Sequence, residues 1–525
     1  MNKIQILDCT LRDGGYCNEW RFGFDNAKTI ISGLVESNVE IIECGFITNK
    51  VGYDPDVTKF TSLDEATKII PENRAGKIYV AMINYGEYNV EDIPNCDGAS
   101  VDGIRVAFHK KNLKEALELC KQIQAKGYLV FVQAMVSLSY TDEEFLSLIR
   151  SVNELAPYAF YIVDSFGVMK EKDLTRLFFM VEHNLDQKIW IGFHSHNNMQ
   201  LAYSNAQRLT CVQTSRNLII DTSIMGMGRG AGNLNTELFV DYLNGNLGKD
   251  YRVKPLLTII DKIITSFYER NYWGYSLPNY ISASHGAHPN YAGYLDSRKT
   301  LTFEAMNEIF DMMDDEKKVA YDKGYIEELY LKYQEKDRVQ EARLSDLKNK
   351  LFGKDALVIA PGQSSKTERD KIVACSSRNN VVTLSVNYDY DESLTDYLFV
   401  SNLRRYRDLP TNKRPKTIVT SNISAIDVYL QVRYKDLLND VQEVEDNAGL
   451  MLIKFLAQIG VKKIFIAGMD GYSANPDENY ADQKMNFYTE KELAKRKNKG
   501  MIKVLKEIRK TVDLEMLTTP RYVVL

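Results

Sequence analysis

The sequence predicts an α/β protein: a (β/α)₈ barrel, then a helical segment, then a second, Rossmann-like α/β domain. Three observations carry that reading. Between residues 4 and 245, eight apolar runs of strand length alternate with amphipathic helical stretches, the arithmetic of a closed barrel. The first run ends in Thr10-Leu11-Arg12-Asp13-Gly14-Gly15, which is charged and unlike the Gly-x-Gly-x-x-Gly loop that often follows the first strand of an open doubly wound sheet. A fresh buried-strand run with a glycine loop and a helix behind it starts near residue 354.

In chain order, the strand runs of the barrel fall at 4–10, 39–46, 77–83, 103–108, 128–135, 160–165, 189–194 and 218–224. Helical patterns between them include 26–36, 112–125, 141–155 and 172–183. These elements define a first domain over 1–295. Residues 255–270 and 302–313 also have a helical pattern, and 316–350 reads as one long charged helix within a connecting region, 296–353. Between the first two lies Ser282–Tyr294, rich in His, Tyr and Gly and read as a functional loop. The last domain, 354–525, offers strands at 356–360, 381–386, 397–400, 417–420 and 463–467, with a strongly apolar helix at 447–459. Its Pro361-Gly362-Gln363-Ser364-Ser365-Lys366 turn is the stretch that would cradle a phosphate through backbone amides, the alternative being a structural turn.

Composition narrows the function. Hydrophobic residues make up 44% and charged residues 26% of the 525, with net charge −5, an ordinary globular balance without the basic footprint of a nucleic-acid binder. No apolar run reaches membrane-spanning length, and the first residues lead straight into a strand, so a cytoplasmic protein is expected. Seven cysteines without a CxxC pair fit reduced thiols. All six histidines, His109, His183, His194, His196, His285 and His288, precede residue 290, which assigns any imidazole chemistry to the first domain.

Barrel chemistry sits at the carboxyl ends of strands. The polar residues there are Arg12 and Asp13 after the first strand, Glu43 in the second, Asn84 after the third, Arg105 in the fourth and Gln133 in the fifth. Asp164 and Ser165 follow the sixth, His194 and His196 the seventh, and Asp221 lies in the eighth. A His-x-His pair on an extended segment presents both rings on one face; two surface histidines at a strand end are the alternative. Asp13 with His194 and His196 makes a one-carboxylate, two-imidazole set suited to Mn²⁺, Mg²⁺, Fe²⁺ or Zn²⁺. Such a cation would polarise the keto group of a chelating 2-oxo acid and stabilise its enolate. Arg12 would add positive charge at the enolate oxygen, and Glu43 would orient Arg12 by an ion pair. Arg105, Ser165, Asn84 and Gln133 are candidate substrate contacts.

Leu7–Gly15, Ile42-Glu43-Cys44-Gly45-Phe46, Tyr161–Ser165, Gly192–Asn198 and Gly228–Asn233 together resemble the DRE-type TIM-barrel metallolyases, related to hydroxymethylglutaryl-CoA lyase. Within these the chain looks most like the 4-hydroxy-2-oxovalerate aldolase branch. The resemblance, over about residues 4–295, implies Asp13, His194 and His196 as metal ligands with Asn233 near the metal. Mn²⁺ or Mg²⁺ is implied ahead of Zn²⁺, with Arg12 as enolate stabiliser. Asn290-Tyr291-Ala292-Gly293 resembles the aldolase segment in which a tyrosine assists proton transfer, a role Tyr291 would inherit. One departure stands out: the slot of the aldolases' catalytic histidine holds Tyr16, a poor base with an ordinary pKa near 10, which brings His288 and His285 forward for proton transfer. The Asn447–Tyr472 run resembles Rossmann-like glycosyltransferase and pterin-pyrophosphokinase-type domains of surface-polysaccharide systems.

The expected activity is therefore a metal-dependent aldolase handling pyruvate or a related 2-oxo acid with an aldehyde, sugar-derived ones included. A homo-oligomer is expected, and a nucleotide or phosphosugar is the candidate ligand of the last domain. The alternatives are a Claisen-type acyl-CoA condensing enzyme or lyase, and a barrel without chemistry that serves as a scaffold.

Overall fold

A computed structural model of the chain describes residues 3–334 and 341–524. Each of the eight apolar runs of the first half forms a strand: β1 (Ile4–Asp8), β2 (Ile41–Ile47), then after the two-residue β3 (Lys59–Phe60), β4 (Ile78–Asn84), β5 (Gly103–Phe108), β6 (Leu129–Ala134), β7 (Ala159–Asp164), β8 (Trp190–Ser195) and β9 (Leu218–Thr222). They are parallel, in the order β1-β9-β8-β7-β6-β5-β4-β2, and the pairing of β1 with β2 closes a TIM barrel; β3 hangs on β2 outside the closure. The runs are apolar throughout because both faces are covered. Leu7, Ile41, Phe131 and Tyr161 point inward into the barrel's own core, whereas Ile6, Ile42, Val130 and Ile162 pack outward under the helices. Bulky interior rings need space opposite, and Gly192 provides it: a Cβ there would lie 2.3 Å from the Tyr161 ring.

The chain divides into two compact units, one of residues 1–294 with 313–322, the other of residues 295–312 with 323–525. Two local readings change. Ser282–Tyr294 is not an irregular loop. It holds the end of one helix, Leu277–Ser284, whose Ser276 cap accepts from Asn279 N–H, and the start of another, Pro289–Arg298. Proline at a first helical position is well tolerated because its missing N–H would have no partner there. The charged stretch 316–350 is not one helix either: Asp315–Lys318 and Lys323–Gln334 are separate, Glu341–Leu351 follows, and 335–340 lie outside the described residues. Residues 319–322 break the run, and Tyr291 explains their fixed path, since its hydroxyl lies 2.8 Å from both Lys317 O and Ala320 O and 3.1 Å from Asp322 N.

In the second unit, β10 (Asp355–Ile359), β11 (Val381–Val386), β12 (Tyr397–Val400), β13 (Thr417–Thr420), β14 (Leu430–Val432), β15 (Lys463–Ala467) and β16 (Asp513–Met516) form one parallel sheet, ordered β14-β13-β12-β11-β10-β15-β16. The apolar helix Ala448–Ile459 packs on it through Leu450, Met451, Ile453 and Leu456. β14 and β16 escape a pattern reading: the first is three residues long, and the second, Asp513-Leu514-Glu515-Met516, is an edge strand with only Leu514 buried. The expected phosphate turn is closed. Ser364 gives both its N–H and its hydroxyl to Asp470, and Ser365 Oγ donates to Gly362 O. Among the described residues no helix is long and apolar enough to cross a membrane.

Asp8, at the carboxyl end of β1, ties that strand to the end of β9 and the start of the helix Thr236–Leu247. It is buried, its Oδ1 accepts from Thr10 N–H, and its Oδ2 lies 2.7 Å from Thr236 Oγ1, which also contacts Thr222 Oγ1 at 2.8 Å. Burial raises its pKa to about 6 against the smaller opposing effect of its hydrogen bonds. A protonated Asp8 donating to Thr236, with Thr236 donating to Thr222, satisfies the whole set. A raised carboxylate pKa means that the folded state holds the proton longer than the unfolded chain, so this stability is present below about pH 4 and is lost as pH rises through about 6. The Asp8→Asn variant, which keeps the neutral pattern, should melt closer to wild type at pH 4 than at pH 7. The wild type should lose up to about 3 kcal/mol relative to it over that range, a difference that thermal unfolding at stepped pH measures.

Candidate functional site

At the mouth of the barrel, Asp8 caps a single helical turn, Thr10–Asp13, by accepting from Thr10 N–H, and Asp13 N–H closes the turn on Cys9 O at 2.8 Å. Trp20 Nε1 and Thr58 Oγ1 hold the carbonyls of Arg12 and Leu11 at 2.6 Å each. The turn therefore presents Arg12 and Asp13 from a braced backbone, not from a free loop. His194 lies at the end of β8 and His196 just beyond it, in a bridge with Asn233. Their rings share a face with centroids 5.2 Å apart.

Asp13, His194 and His196 come together. One ligand atom from each lies within 4.8 Å of the others, and all three residues are buried. Burial works against the charge on Asp13, but Arg12, His196 and His194 outweigh it and hold the carboxyl well below its usual range. Burial pulls His196 down to about 3, so its ring is neutral with one nitrogen lone pair to offer. Asn233 donates to Asp13 Oδ2 at 2.6 Å, while its own Oδ1 is buried without a partner, as is His196 Nδ1. Unused buried acceptors around a charged carboxylate fit a divalent cation, with oxygen and nitrogen donors and no thiolate in the set.

Behind this set runs a chain of buried charges. Arg12 contacts Asp13 and donates from Nε to Glu43 Oε2 at 2.9 Å. Glu43 Oε2 also accepts from Arg105 Nη1 at 2.8 Å, Arg105 Nη2 pairs with Asp221, and Asp221 Oδ2 accepts from His194 Nδ1 at 2.9 Å. With Nδ1–H donated to Asp221, His194 Nε2 is left as the free lone pair, the usual tautomer of a ligating histidine. Three carboxylates against two guanidinium groups leave one negative charge in excess, which a cation would offset.

The other expected residues are placed as follows. Gln133 is buried on β6 with its Nε2 unpartnered, and Asn84 is half-buried at the end of β4. Ser165 is near but occupied: its Oγ accepts from Val136 N–H at 2.9 Å and fixes that residue at φ +53. Arg105, expected at the substrate, is wholly enclosed among Glu43, Asp221 and the Tyr161 ring; it supports the site from beneath. Tyr291, expected in proton transfer, is fully buried and its hydroxyl is spent on the 317–322 backbone. His285 caps the end of Leu277–Ser284. His288 does reach the mouth, with Nε2 3.2 Å from Arg229 Nη1, and burial together with Arg229 pulls its pKa down to about 2. Held neutral, it orients Arg229 and is a poor store for a proton. Tyr16 stands at the rim, 40% exposed, its ring under the Arg229 guanidinium at 5.4 Å.

Arg229 is the residue that sequence reasoning passed over. It sits inside the Gly228–Asn233 loop, donates to Ser165 O at 3.2 Å, and buries an Nε that has no partner. A charged residue within an otherwise small-residue loop was the available signal. The loop also shows why Gly228 is glycine: a Cβ there would lie 2.3 Å from Asn233 Nδ2 and 2.8 Å from Asp13 Oδ2.

Fold and site together define a barrel whose mouth carries a carboxylate–bis-imidazole cluster able to hold a metal ion, and residues 3–258 match the HMGL-like family model. It is 28% identical over 251 residues to a 4-hydroxy-2-oxovalerate aldolase of Geobacillus genomosp. 3, spanning 46% of this chain and 70% of that protein. It is 24% identical over 240 residues to an oxaloacetate decarboxylase of Mycobacterium tuberculosis, 45% of this chain and 68% of that one. Among solved structures, the N-terminal domain of a presumed aldolase from Bacteroides vulgatus aligns at TM-score 0.51 and 29% identity, over 57% of this chain and 98% of that domain.

Removing one member of the buried chain strands its partners. Glu43→Ala leaves Arg12 and Arg105 facing each other across a low-dielectric gap and should cost about 3–5 kcal/mol in denaturant unfolding. Gly228→Ala should cost less stability but displace Asn233 from Asp13, which reads out as weakened metal retention in elemental analysis.

Proposed function

We propose that the barrel is a divalent-metal-dependent aldolase, making or breaking the bond from C3, the carbon beside the keto group of pyruvate or a related 2-oxo acid, to the carbonyl carbon of an aldehyde partner, sugar-derived aldehydes included. The observation that carries this reading is a convergence: Asp13, His194 and His196 meet in one buried cluster, flanked by two guanidinium groups with unpartnered buried N–H atoms, Arg12 Nη2 and Arg229 Nε. A divalent cation, Mn²⁺ or Mg²⁺ as the family resemblance implies, held by these three residues with Asn233 beside them would supply Lewis acidity toward a keto oxygen.

The chain's own residues account for the rest. Arg12, braced by Glu43 and Asp13, aims a fixed positive charge where negative charge develops as the bond breaks, so little reorganisation is needed at that moment. Arg229, oriented by His288, offers a second cationic donor for the substrate carboxylate. Gln133 Nε2 is a free buried donor for a further oxygen. The named relatives support the substrate class by their chemistry: cleaving 4-hydroxy-2-oxovalerate or oxaloacetate between the third and fourth carbons leaves the same three-carbon fragment, pyruvate, in each case. Unpaired thiols at all seven cysteines fit the reducing cytoplasm.

The test is elemental analysis together with metal-dependent pyruvate release from 4-hydroxy-2-oxo acids by the full chain. Asp13→Ala should lose bound metal and turnover together. Arg12→Met should keep metal and lose about 10²–10³ in kcat, whereas Arg229→Met should keep metal and raise KM about tenfold or more, with partial recovery in Arg229→Lys. An Asp13→Ala protein that retains both metal and turnover would sink the reading.

A further inference from the structure

The second unit contains a cavity of about 340 Å³ that the barrel chemistry does not use. Every strand end that borders it is a carboxyl end: Ala360–Gly362 follow β10, Asn387 follows β11, Asn402 follows β12 and Gly468–Gly471 follow β15. The sheet order places β10 and β15 side by side, with the chain running outward from β10 through β11 to β14 and outward from β15 to β16. That reversal is the point at which open α/β sheets form a ligand crevice.

The lining, six basic residues against four acidic ones, favours an anion. The helix Ala448–Ile459 begins at the cavity. Its cap, the Asn447 side chain, accepts from Leu450 N–H, and among the described residues the N–H groups of Ala448 and Gly449 find no acceptor. Twelve residues of helix behind them add the positive end of the dipole. Gly449 lets the Met469 side chain pack close to the start of this helix, since a Cβ there would lie 2.6 Å from Met469 Cε. Lys497 reaches the cavity half-buried and forms no ion pair with a described residue; its Nζ sits 4.9 Å from the centroid of the Tyr472 ring. Burial lowers its pKa, with Arg298 and Lys299 adding to the effect and Asp446 opposing it, as expected of a cation awaiting a counter-charge. Arg405 lines the same wall, anchored by one nitrogen to Met485 O at 3.1 Å. At the rim, the Tyr480 and Phe487 rings stand 5.7 Å apart.

We propose that this cavity binds a nucleotide, its phosphate oxygens held by the Ala448 and Gly449 N–H groups with Lys497 and Arg405, and its base or sugar lying against Tyr480 and Phe487. The size falls within the range of small-ligand pockets. The Pro361–Lys366 turn lines the cavity through Pro361 and Gly362 but offers no donor at Ser364, because Asp470 has taken the Ser364 N–H that a phosphate would need. Nothing here depends on turnover in the barrel.

Calorimetry on the full chain separates the sources of such chemistry: nucleoside mono- and diphosphates of each base, a sugar nucleotide, a hexose phosphate and inorganic pyrophosphate. At least one nucleotide-containing ligand should bind at least tenfold more tightly than pyrophosphate and the hexose phosphate. Lys497→Met and Arg405→Met should each weaken it about tenfold or more with unchanged unfolding midpoints, and Lys499→Met, exposed on the helix Lys491–Ile508 that also carries Lys497, should leave it unaltered. Pyrophosphate or hexose phosphate matching every nucleotide, no binding at millimolar concentration, or full affinity in Lys497→Met would each overturn the proposal. If Arg405→Met does not fold, Lys497→Met decides.

Discussion

The barrel mouth depends on one interaction above the others, the ion chain that runs from Asp13 through Arg12, Glu43, Arg105 and Asp221 to His194. Ionised side chains inside a protein lose several kcal/mol of hydration each, and only close, saturated pairing returns it. Here each carboxylate lies between cationic or imidazole partners, so no link can be moved without exposing the next. The chain joins two strands on opposite sides of the sequence, β1 and β8, whose side chains must meet to form a metal site. Electrostatic satisfaction and ligand geometry are therefore the same constraint. The single excess negative charge makes the arrangement most stable with a cation in front of it.

The orientation of His194 shows how the constraint propagates. Asp221 accepts the Nδ1 proton, which leaves Nε2 as the free lone pair, and Asp221 is itself held ionised because Arg105 and His194 outweigh the effect of burial. Arg105 is thus separated from the candidate metal by two residues, Asp221 and His194, yet sets the tautomer of one of its ligands. Its complete burial, which disqualifies it as a substrate contact, is what lets it do this: water at that position would screen the pairing.

Much of this was legible in the sequence. Eight alternating units gave the barrel, and the boundaries of β5 and β11 to β13 match to the residue, since strands buried on both faces leave continuous apolar runs. Asp13, His194 and His196 could be paired because a barrel brings all strand ends to one mouth. What failed to show was long-range satisfaction. Tyr291 resembles a reactive tyrosine in its local Asn-Tyr-Ala-Gly setting, and nothing nearby announces that its hydroxyl bonds to carbonyls 26 and 29 residues on. The Pro361–Lys366 turn looks like a phosphate loop until Asp470, over a hundred residues later, fills it. Arg229 was overlooked for the converse reason, because its unpartnered Nε is visible only once its surroundings are known. Motif reading identifies which groups are capable of chemistry, and packing decides which remain available.

Both halves of the chain place their candidate sites at the carboxyl ends of parallel strands, and the physical cause is shared. A strand that ends there hands over to a helix that begins there, so unpaired N–H groups and short loops gather at that edge. The two sheets exploit the edge differently. A closed barrel converges eight strand ends on an axis, which suits a small, dry cluster of charged ligands such as Asp13, His194 and His196. An open sheet has no axis, and its one natural gap lies where strand order reverses, between β10 and β15. That gap is lined in part by backbone, as the first N–H groups of the helix Ala448–Ile459 show. The proposed ligands follow the same division, a compact keto acid at the first site and a phosphate-bearing molecule at the second. The contrast follows from topology, while the sign of the charge each site selects follows from the residues that line it.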